Sequence, residues 1–266
     1  MVTVDELRKD ALDGKFGTYP QEMPITGASY IYQTTQFPGT DTKYHNHYVL
    51  LRVGSYFGAC CHMPEQLEMV AAAELSGIPL SQGIGDDRLP VGIAALDAYF
   101  GNLYPHQDCC QEIITIPAGT PIARADYRDA LISRIAGIRK GERVALIGVV
   151  NPLVKAIRDA GGICLPCDLQ MKKTQWGDVV EKDMDVVLAQ ADSVISTAMT
   201  LGNGTFDRLC GIVRKRNIPL TVYGQTGSAV VARFLSKGVT TLLAEPFPFT
   251  QFCAEASRLF IYTSCP

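Results

Sequence analysis

The sequence predicts an α/β protein whose C-terminal half folds as a doubly wound parallel sheet. From residue 126 onwards, short apolar segments alternate with longer segments of helical periodicity. The short segments are apolar on both faces, as is typical of strands that helices cover from both sides. Parallel neighbouring strands also require helical crossovers, and a predicted helix follows each strand. The predicted strands are 143–147, 163–167, 193–197, 219–223 and 240–244, and the predicted helices are 126–139, 152–160, 179–190, 205–216, 228–236 and 249–260.

The preceding residues predict a smaller α+β unit. A helix is expected at Val4–Leu12, where apolar residues recur at helical spacing. Two segments rich in β-branched and aromatic residues, 28–37 and 47–58, are expected to be strands. The other predicted elements of this unit are a helix opened by proline at 64–76, a flexible loop at 82–88 and a helix at 91–103.

These patterns divide the chain into two predicted domains. Residues 1–120 are expected to form the α+β domain, and residues 121–266 a Rossmann-like ligand-binding domain. A chain of 266 residues is long enough for two modest domains.

Composition and charge exclude several classes of protein. Hydrophobic residues make up 47% of the chain and charged residues 19%, which is ordinary for a protein with a sizeable core. The net charge is -3, and the strongest basic run, 214–216, closes a predicted helix, so no nucleic-acid partner is expected. Neither a membrane-spanning segment nor a signal-peptide pattern is visible, which favours a cytoplasmic protein without a membrane partner.

The loops at the carboxyl ends of the predicted strands indicate where a ligand binds. In an open parallel sheet the crevice at these ends is the binding site. The first loop has a single glycine, Gly148, followed by two valines, Asn151 and Pro152. A dinucleotide or P-loop site needs several glycines and free backbone N–H groups, so NAD, FAD and ATP are disfavoured.

Two further loops carry polar side chains suited to a small organic ligand. Asp168 follows the second strand, at a position where Rossmann-type domains bind a ribose diol; the alternative is a loop aspartate that faces water. A ribose contact without a phosphate cradle points to S-adenosylmethionine. In the third loop, glycines flank Asn203, which favours a ligand contact, and Thr205 is expected to cap the next helix.

Several segments resemble a known family. The segments 142–148 and 200–205, the turn after the fourth strand, and the segment 90–99 are similar to the bacterial and archaeal proteins called putative heavy-metal chelation proteins. This resemblance covers most of the chain and implies a Rossmann-like C-terminal domain behind an N-terminal domain similar to that of enolase. The architecture also resembles, more loosely, enzymes that consume S-adenosylmethionine to make azetidine-2-carboxylate, in which the substrate's own nitrogen displaces methylthioadenosine.

Histidine and cysteine pairs suggest a metal site, but their spacing argues against one. Cys164 and Cys167 lie three apart on a predicted strand and therefore point to opposite faces. His45 and His47 share a strand face but supply only two ligands, whereas a structural zinc site needs four. The nine cysteines are expected to be reduced, and no metal is expected.

The functional hypothesis is an S-adenosylmethionine-binding enzyme, a cyclase or lyase that releases methylthioadenosine, with a methyltransferase left open. The alternative is a non-catalytic protein that binds a metal chelate or a small metabolite, and the chain is a candidate homodimer. The predicted catalytic residues are Asn203, Asn151 and Asp86, and the predicted ligand-binding residues are Gly148, Asp168, Trp176, Thr197, Gly204, Thr205, Tyr223 and Gln225.

Overall fold

The computed structural model describes residues 2–36, 41 and 43–264. The strands are β1 (Gly27–Gln36), β2 (Lys43–Val53), β3 (Tyr56–His62), β4 (Glu112–Ile116), β5 (Arg143–Ile147), β6 (Ile163–Cys167), β7 (Ser193–Thr197), β8 (Leu220–Gly224), β9 (Thr241–Ala244) and β10 (Ser257–Thr263). The α-helices are α1 (Val4–Leu12), α2 (Ala71–Leu75), α3 (Leu80–Ile84), α4 (Leu89–Leu103), α5 (His106–Cys109), α6 (Pro121–Ile135), α7 (Asn151–Asp159), α8 (Met184–Gln190), α9 (Met199–Gly202), α10 (Phe206–Arg216) and α11 (Ser228–Val231). Short 3-10 helices lie at Pro20–Glu22, Pro64–Gln66, Ala232–Phe234 and Thr250–Phe252.

The N-terminal part contains an antiparallel sheet in the order β1-β2-β3. Two strands, β2 and β3, replace the single strand predicted at 47–58, because Gly54 adopts a left-handed backbone (φ 56°) and turns the chain. The end of the strand predicted at 28–37, Phe37, lies outside the described residues.

Two other N-terminal predictions need correction. The helix predicted at 64–76 is divided into the 3-10 turn Pro64–Gln66 and the short helix α2. The loop predicted as flexible at 82–88 begins inside α3, and its Asp86 carboxylate binds the Arg88 side chain at 2.7 and 2.9 Å. Local contacts therefore order this connection.

The C-terminal part is a seven-stranded sheet in the order β4-β10-β9-β8-β7-β5-β6. Pairing is parallel from β6 through β5, β7 and β8 to β9, which confirms the predicted Rossmann-like sheet. The order of these five strands reverses direction between β5 and β7. At such a switch point the flanking loops diverge and leave a crevice at the carboxyl ends of the strands.

The helix predicted at 249–260 is wrong. The chain there forms the 3-10 turn Thr250–Phe252 and then β10, which pairs antiparallel with both β4 and β9. Residues 259–262 are continuously apolar and buried, a pattern that a buried helix and a buried strand share. The partner strand β4 precedes residue 120, so the first predicted domain contributes an edge strand to the large sheet.

Helices cover both faces of the large sheet, as expected for a doubly wound fold. Val144 and Leu146 of β5 point into a core formed with α6 and α7. Ala145 and Ile147 point into the opposite core, formed with α4, α8, α10 and α11. Because neighbouring residues of β5 face opposite cores, this strand is apolar and buried from Val144 to Ile147.

Helix α4 joins the two sheets. Every residue from Pro90 to Gly101 is buried, and the helix packs against β2 and β3 of the small sheet and against α11 of the large one. Gly58 of β3 permits the close approach, because a Cβ atom there would lie 2.1 Å from the Ala94 carbonyl oxygen. The two sheets therefore share one hydrophobic core through this helix.

None of the helices within the described ranges is both long and apolar enough to cross a membrane.

Candidate functional site

A cavity of about 610 Å³ lies at the carboxyl ends of β5, β6, β7 and β8. The small sheet forms its opposite wall through residues of β1, β2 and β3, and α6 contributes to the floor. Small-molecule sites commonly have volumes of roughly 300–1,000 Å³. The cavity therefore has the position and the size expected for a small organic ligand in this fold.

Seven of the predicted site residues meet at this cavity. Each of them lies near or after the carboxyl end of a strand of the large sheet, which is why reasoning from strand ends identified them. These residues are Gly148, Asp168, Thr197, Asn203, Thr205, Tyr223 and Gln225.

The other four predicted residues are not part of the cavity lining. Asn151 is buried behind it, where its Oδ1 accepts from the Gln175 N–H at 3.0 Å. Asp86 is held by Arg88 in the connection before α4, so its location gives it no contact with a ligand in the cavity.

Trp176 and Gly204 also lie elsewhere. The Trp176 ring is exposed and its centroid lies 5.1 Å from Arg158 Cζ, so it packs on α7 and does not line the cavity. Gly204 faces Leu89, 3.6 Å from where a Cβ atom would be.

Gly148 brings the first loop close to the neighbouring strand. Its φ is 84°, and a Cβ atom there would lie 2.4 Å from Thr197 Cγ2. The Tyr223 hydroxyl donates to the Gly148 carbonyl oxygen at 3.1 Å. A side chain at this position would force β5 and β7 apart at the switch point.

Asp168 binds backbone groups on both sides of its loop. Its Oδ2 accepts from the Val149 N–H at 2.9 Å, and its Oδ1 accepts from the N–H groups of Gln170 and Met171 at 2.8 and 2.9 Å. A carboxylate offers about four acceptor positions, so about one remains for a ligand. The side chain thus orders the loops after β5 and β6.

Asn203 has an unused donor at the cavity. Its Oδ1 accepts from the N–H and hydroxyl of Thr205 at 3.1 and 2.6 Å. The Thr205 hydroxyl therefore does not cap α10, contrary to expectation. Among the described residues nothing accepts from the Asn203 amide nitrogen, which leaves it free to bind a ligand.

The cavity floor holds a charged group that the sequence did not reveal. We call Arg128, Asp129 and Glu245, with the amides of Gln225 and Gln251, the acid–arginine group. Arg128 Nε and Nη2 lie 3.0 and 2.9 Å from Asp129 Oδ1, and its Nη1 lies 3.6 Å from Glu245 Oε2. The two amides bind each other reciprocally at 2.8 and 3.0 Å, and Gln225 donates to Glu245 at 2.8 Å.

Burial and charge act in opposite directions on this group. Burial raises the pKa of Asp129, and the adjacent Arg128 guanidinium offsets part of that increase. Burial lowers the pKa of Arg128, but its two carboxylate neighbours outweigh this and raise it overall. In the sequence, Arg128 and Asp129 are two adjacent opposite charges within a predicted helix, which is typical of a surface pair. The burial of Asp129 and the nearby position of Glu245 are known only from the structure.

Histidines of the small sheet line another part of the cavity. His47 of β2 lies opposite His62 of β3, with 6.0 Å between ring centroids. His62 Nδ1 is 2.8 Å from the Met63 carbonyl oxygen, so Nδ1 carries the proton and Nε2 has a lone pair. That Nε2 is buried and has no hydrogen-bond partner among the residues that the structure describes.

No preformed metal site accompanies these histidines. Within ranges 2–36 and 43–264 and at residue 41, no three His, Cys, Asp or Glu side chains are grouped to hold an ion. Cys164 and Cys167 pack into opposite cores, as their spacing indicated.

Comparison with known proteins identifies a similar family and a solved structure with a similar fold. The model of the DUF364 family, described as putative heavy-metal chelation, matches residues 130–244. A crystal structure of a DUF364 protein of unknown function from Pyrococcus horikoshii is 15% identical, with a TM-score of 0.58 over 98% of this chain and 99% of that one. No curated protein matches the chain.

Weaker structural matches include two aminotransferases. A probable N-succinyldiaminopimelate aminotransferase from Thermus thermophilus is 13% identical over 57% of this chain and 43% of that one, with a TM-score of 0.38. A mitochondrial aspartate aminotransferase from Trypanosoma brucei is 16% identical over 62% and 48%, with a TM-score of 0.40.

The resemblance to this family seen in the sequence motifs is confirmed, since the segments 142–148 and 200–205 lie inside the matched region and the Pyrococcus protein shares the fold of nearly the whole chain. Residues 130–244 of this chain are thus similar to the DUF364 family, described as putative heavy-metal chelation.

Proposed function

We propose that the cavity binds S-adenosylmethionine and that the protein is an enzyme displacing methylthioadenosine from the methionine moiety, in the manner of azetidine-2-carboxylate formation. The observation that carries this proposal is a cavity of about 610 Å³ at the β5–β7 switch point that offers polar contacts without a phosphate cradle.

The backbone of the first loop is unsuited to a pyrophosphate. The Val149 N–H is already bound to Asp168, and Pro152 has no N–H to donate. Nucleotide phosphates bind where several free N–H groups converge. An adenosyl ligand that lacks phosphate agrees better with this loop than a dinucleotide does.

Aromatic side chains suit a ligand with a positive sulfur. Tyr44, Tyr48 and Tyr223 all line the cavity. Burial raises the pKa of each phenol, so the hydroxyl groups stay neutral at physiological pH. Aromatic faces attract cations by about 0.5–2 kcal/mol.

The displacement requires positioning more than strong acid or base chemistry. The substrate nitrogen forms a bond to the carbon attached to sulfur, and the carbon–sulfur pair of electrons leaves with sulfur as a neutral thioether. The ammonium must first transfer a proton to water or to a carboxylate base, so that the nitrogen lone pair can attack. An enzyme that holds nitrogen and sulfur in line at this carbon gains most of its rate from that orientation.

Calorimetric titration of the protein with S-adenosylmethionine tests this function, together with mass spectrometry of the incubated mixture. We expect saturable binding and release of methylthioadenosine, with a co-product whose mass identifies a ring. ATP serves as the phosphate-bearing control and is expected to bind weakly. Absence of both binding and turnover with S-adenosylmethionine would rule the proposal out.

A second candidate function is binding of a metal chelate, which the unpartnered His62 Nε2 beside His47 favours. Two imidazoles are too few for a tetrahedral ion, so the metal would bring ligands of its own. Titration with zinc citrate is expected to show binding that His62→Gln removes. Equal binding by both proteins would exclude this site.

A further inference from the structure

We infer that the acid–arginine group is the subsite for an α-amino acid head group, with Asp129 receiving the ammonium and Arg128 the carboxylate. This inference rests on the proposed function, because it names the part of the cavity that would hold the methionine end of the ligand. Arg128 and Asp129 both line the cavity.

The two carboxylates of the acid–arginine group differ in whether the protein supplies hydrogen-bond donors to both of their oxygen atoms. Glu245 accepts at Oε1 from the N–H and hydroxyl of Thr250, and at Oε2 from Gln225. It is 1% exposed and does not line the cavity. Its role is to hold the floor of the cavity together.

Asp129 has one oxygen without a partner. Its Oδ1 binds Arg128, whereas Oδ2 makes no hydrogen bond to any described residue. The residue as a whole is only 3% exposed, but Oδ2 is not among the fully buried side-chain atoms that lack a partner, so it keeps access to solvent. Because Asp129 lines the cavity, this oxygen is available to a ligand donor.

Arg128 also has unused donors. Its Nε and Nη2 contact Asp129, but Nη1 is 3.6 Å from Glu245, beyond a hydrogen bond. A guanidinium has five N–H donors in a planar fork that matches a carboxylate. One cation between two carboxylates also leaves the group with an excess of negative charge, which suits a ligand that carries ammonium and sulfonium charges.

Comparing the binding of two adenosyl ligands tests this subsite separately from the rest of the cavity. S-adenosylmethionine carries the amino acid head group, and methylthioadenosine shares the adenosyl part but lacks it. Loss of a charge-assisted hydrogen bond weakens binding roughly 10- to 100-fold. We therefore expect Asp129→Asn to weaken binding of S-adenosylmethionine by that factor and to leave binding of methylthioadenosine within twofold.

The matched control is Asp126→Asn, which removes an exposed carboxylate from the same helix. It is expected to change neither affinity. Equal weakening of both ligands by Asp129→Asn, or no weakening of either, would overturn the inference. If Asp129→Asn does not fold, Arg128→Lys provides the same comparison, since it keeps the positive charge and removes the planar fork.

Failure of the proposed function can be distinguished from failure of this inference. Should wild-type protein bind neither adenosyl ligand, L-methionine and other free α-amino acids are the next probes in the same titration. Binding that depends on Asp129 would support the subsite while excluding the adenosyl ligand. Absence of binding by every α-amino acid would overturn the inference as well.

Discussion

Two groups of buried polar side chains differ in how completely the protein satisfies them. In the first, which we call the sealed network, Asp97 accepts from the N–H groups of Ala59 and Ala229 at 2.9 and 2.8 Å. His106 lies 2.7 Å from the Tyr262 hydroxyl and 3.0 Å from the Ser228 hydroxyl. The acid–arginine group, in contrast, leaves donors and an acceptor unused at the cavity.

This difference separates residues that hold the fold from residues available to a ligand. The sealed network joins α4, β3, α5, α11 and β10, and none of its members lines the cavity. A fully bonded buried network stabilises one arrangement of the chain. Polar groups that lack hydrogen-bond partners lower the stability of the fold. Their presence beside a cavity is therefore typical of a binding site.

The largest effect is expected from Asp97→Ala in the sealed network. The change leaves two buried N–H groups without an acceptor, at a cost of about 1–3 kcal/mol each, and so lowers the free energy of unfolding by about 4 kcal/mol. Urea denaturation measures this. The exposed Asp108→Ala is the control and should change the free energy of unfolding by less than about 0.5 kcal/mol. An equally small change in the free energy of unfolding for Asp97→Ala would contradict the distinction between the sealed network and the acid–arginine group.

A pH-dependent effect is expected from His106. Burial lowers its pKa from 6.5 to about 4, so its contribution to stability is complete above pH 6.5 and is lost as the pH falls toward 4. The loss amounts to about 3 kcal/mol at roughly 1.36 kcal/mol per pKa unit.

Asp97 titrates with the opposite sign, because burial raises its pKa to about 7. The measured quantity is therefore the difference in unfolding free energy between wild type and His106→Gln, at pH 7 and at pH 4. We expect this difference to shift against the wild type by about 3 kcal/mol as the pH falls. A difference that is constant with pH would show that His106 is not held neutral by burial.

The smallest effect is expected at the open cavity, from Asn203→Ala. Among the described residues its side chain bonds to Thr205 alone, so the free energy of unfolding should fall by about 1 kcal/mol. Affinity for S-adenosylmethionine should fall about tenfold, because the amide nitrogen loses its ligand contact. The exposed Gln190→Ala serves as the control for affinity. A large loss of stability without a change in affinity would show that Asn203 holds the fold, as the sealed network does, and does not contact the ligand.

The parts of the fold that local patterns determine were predicted closely. Strands β5, β6 and β7 have the predicted bounds, because each is a short apolar segment between clear helix boundaries. Strand β10 was mistaken for a helix, since a continuous apolar segment has no distinguishing period. Its assignment as a strand depends on β4 and β9, which pair with it from distant parts of the chain.

The sequence by itself determined the resemblance to a known family, the parallel sheet and the strand-end residues that meet at the cavity, because parallel strands bring their carboxyl ends to one edge. Only the tertiary structure decided which polar groups are left with unused hydrogen-bonding capacity. Asp168 resembled a ligand contact in the sequence but binds three backbone N–H groups, whereas Asp129, which no sequence pattern singled out, has an oxygen at the cavity that bonds to none of the described residues. Hydrogen-bond saturation depends on partners from distant elements, and local sequence does not encode where they lie.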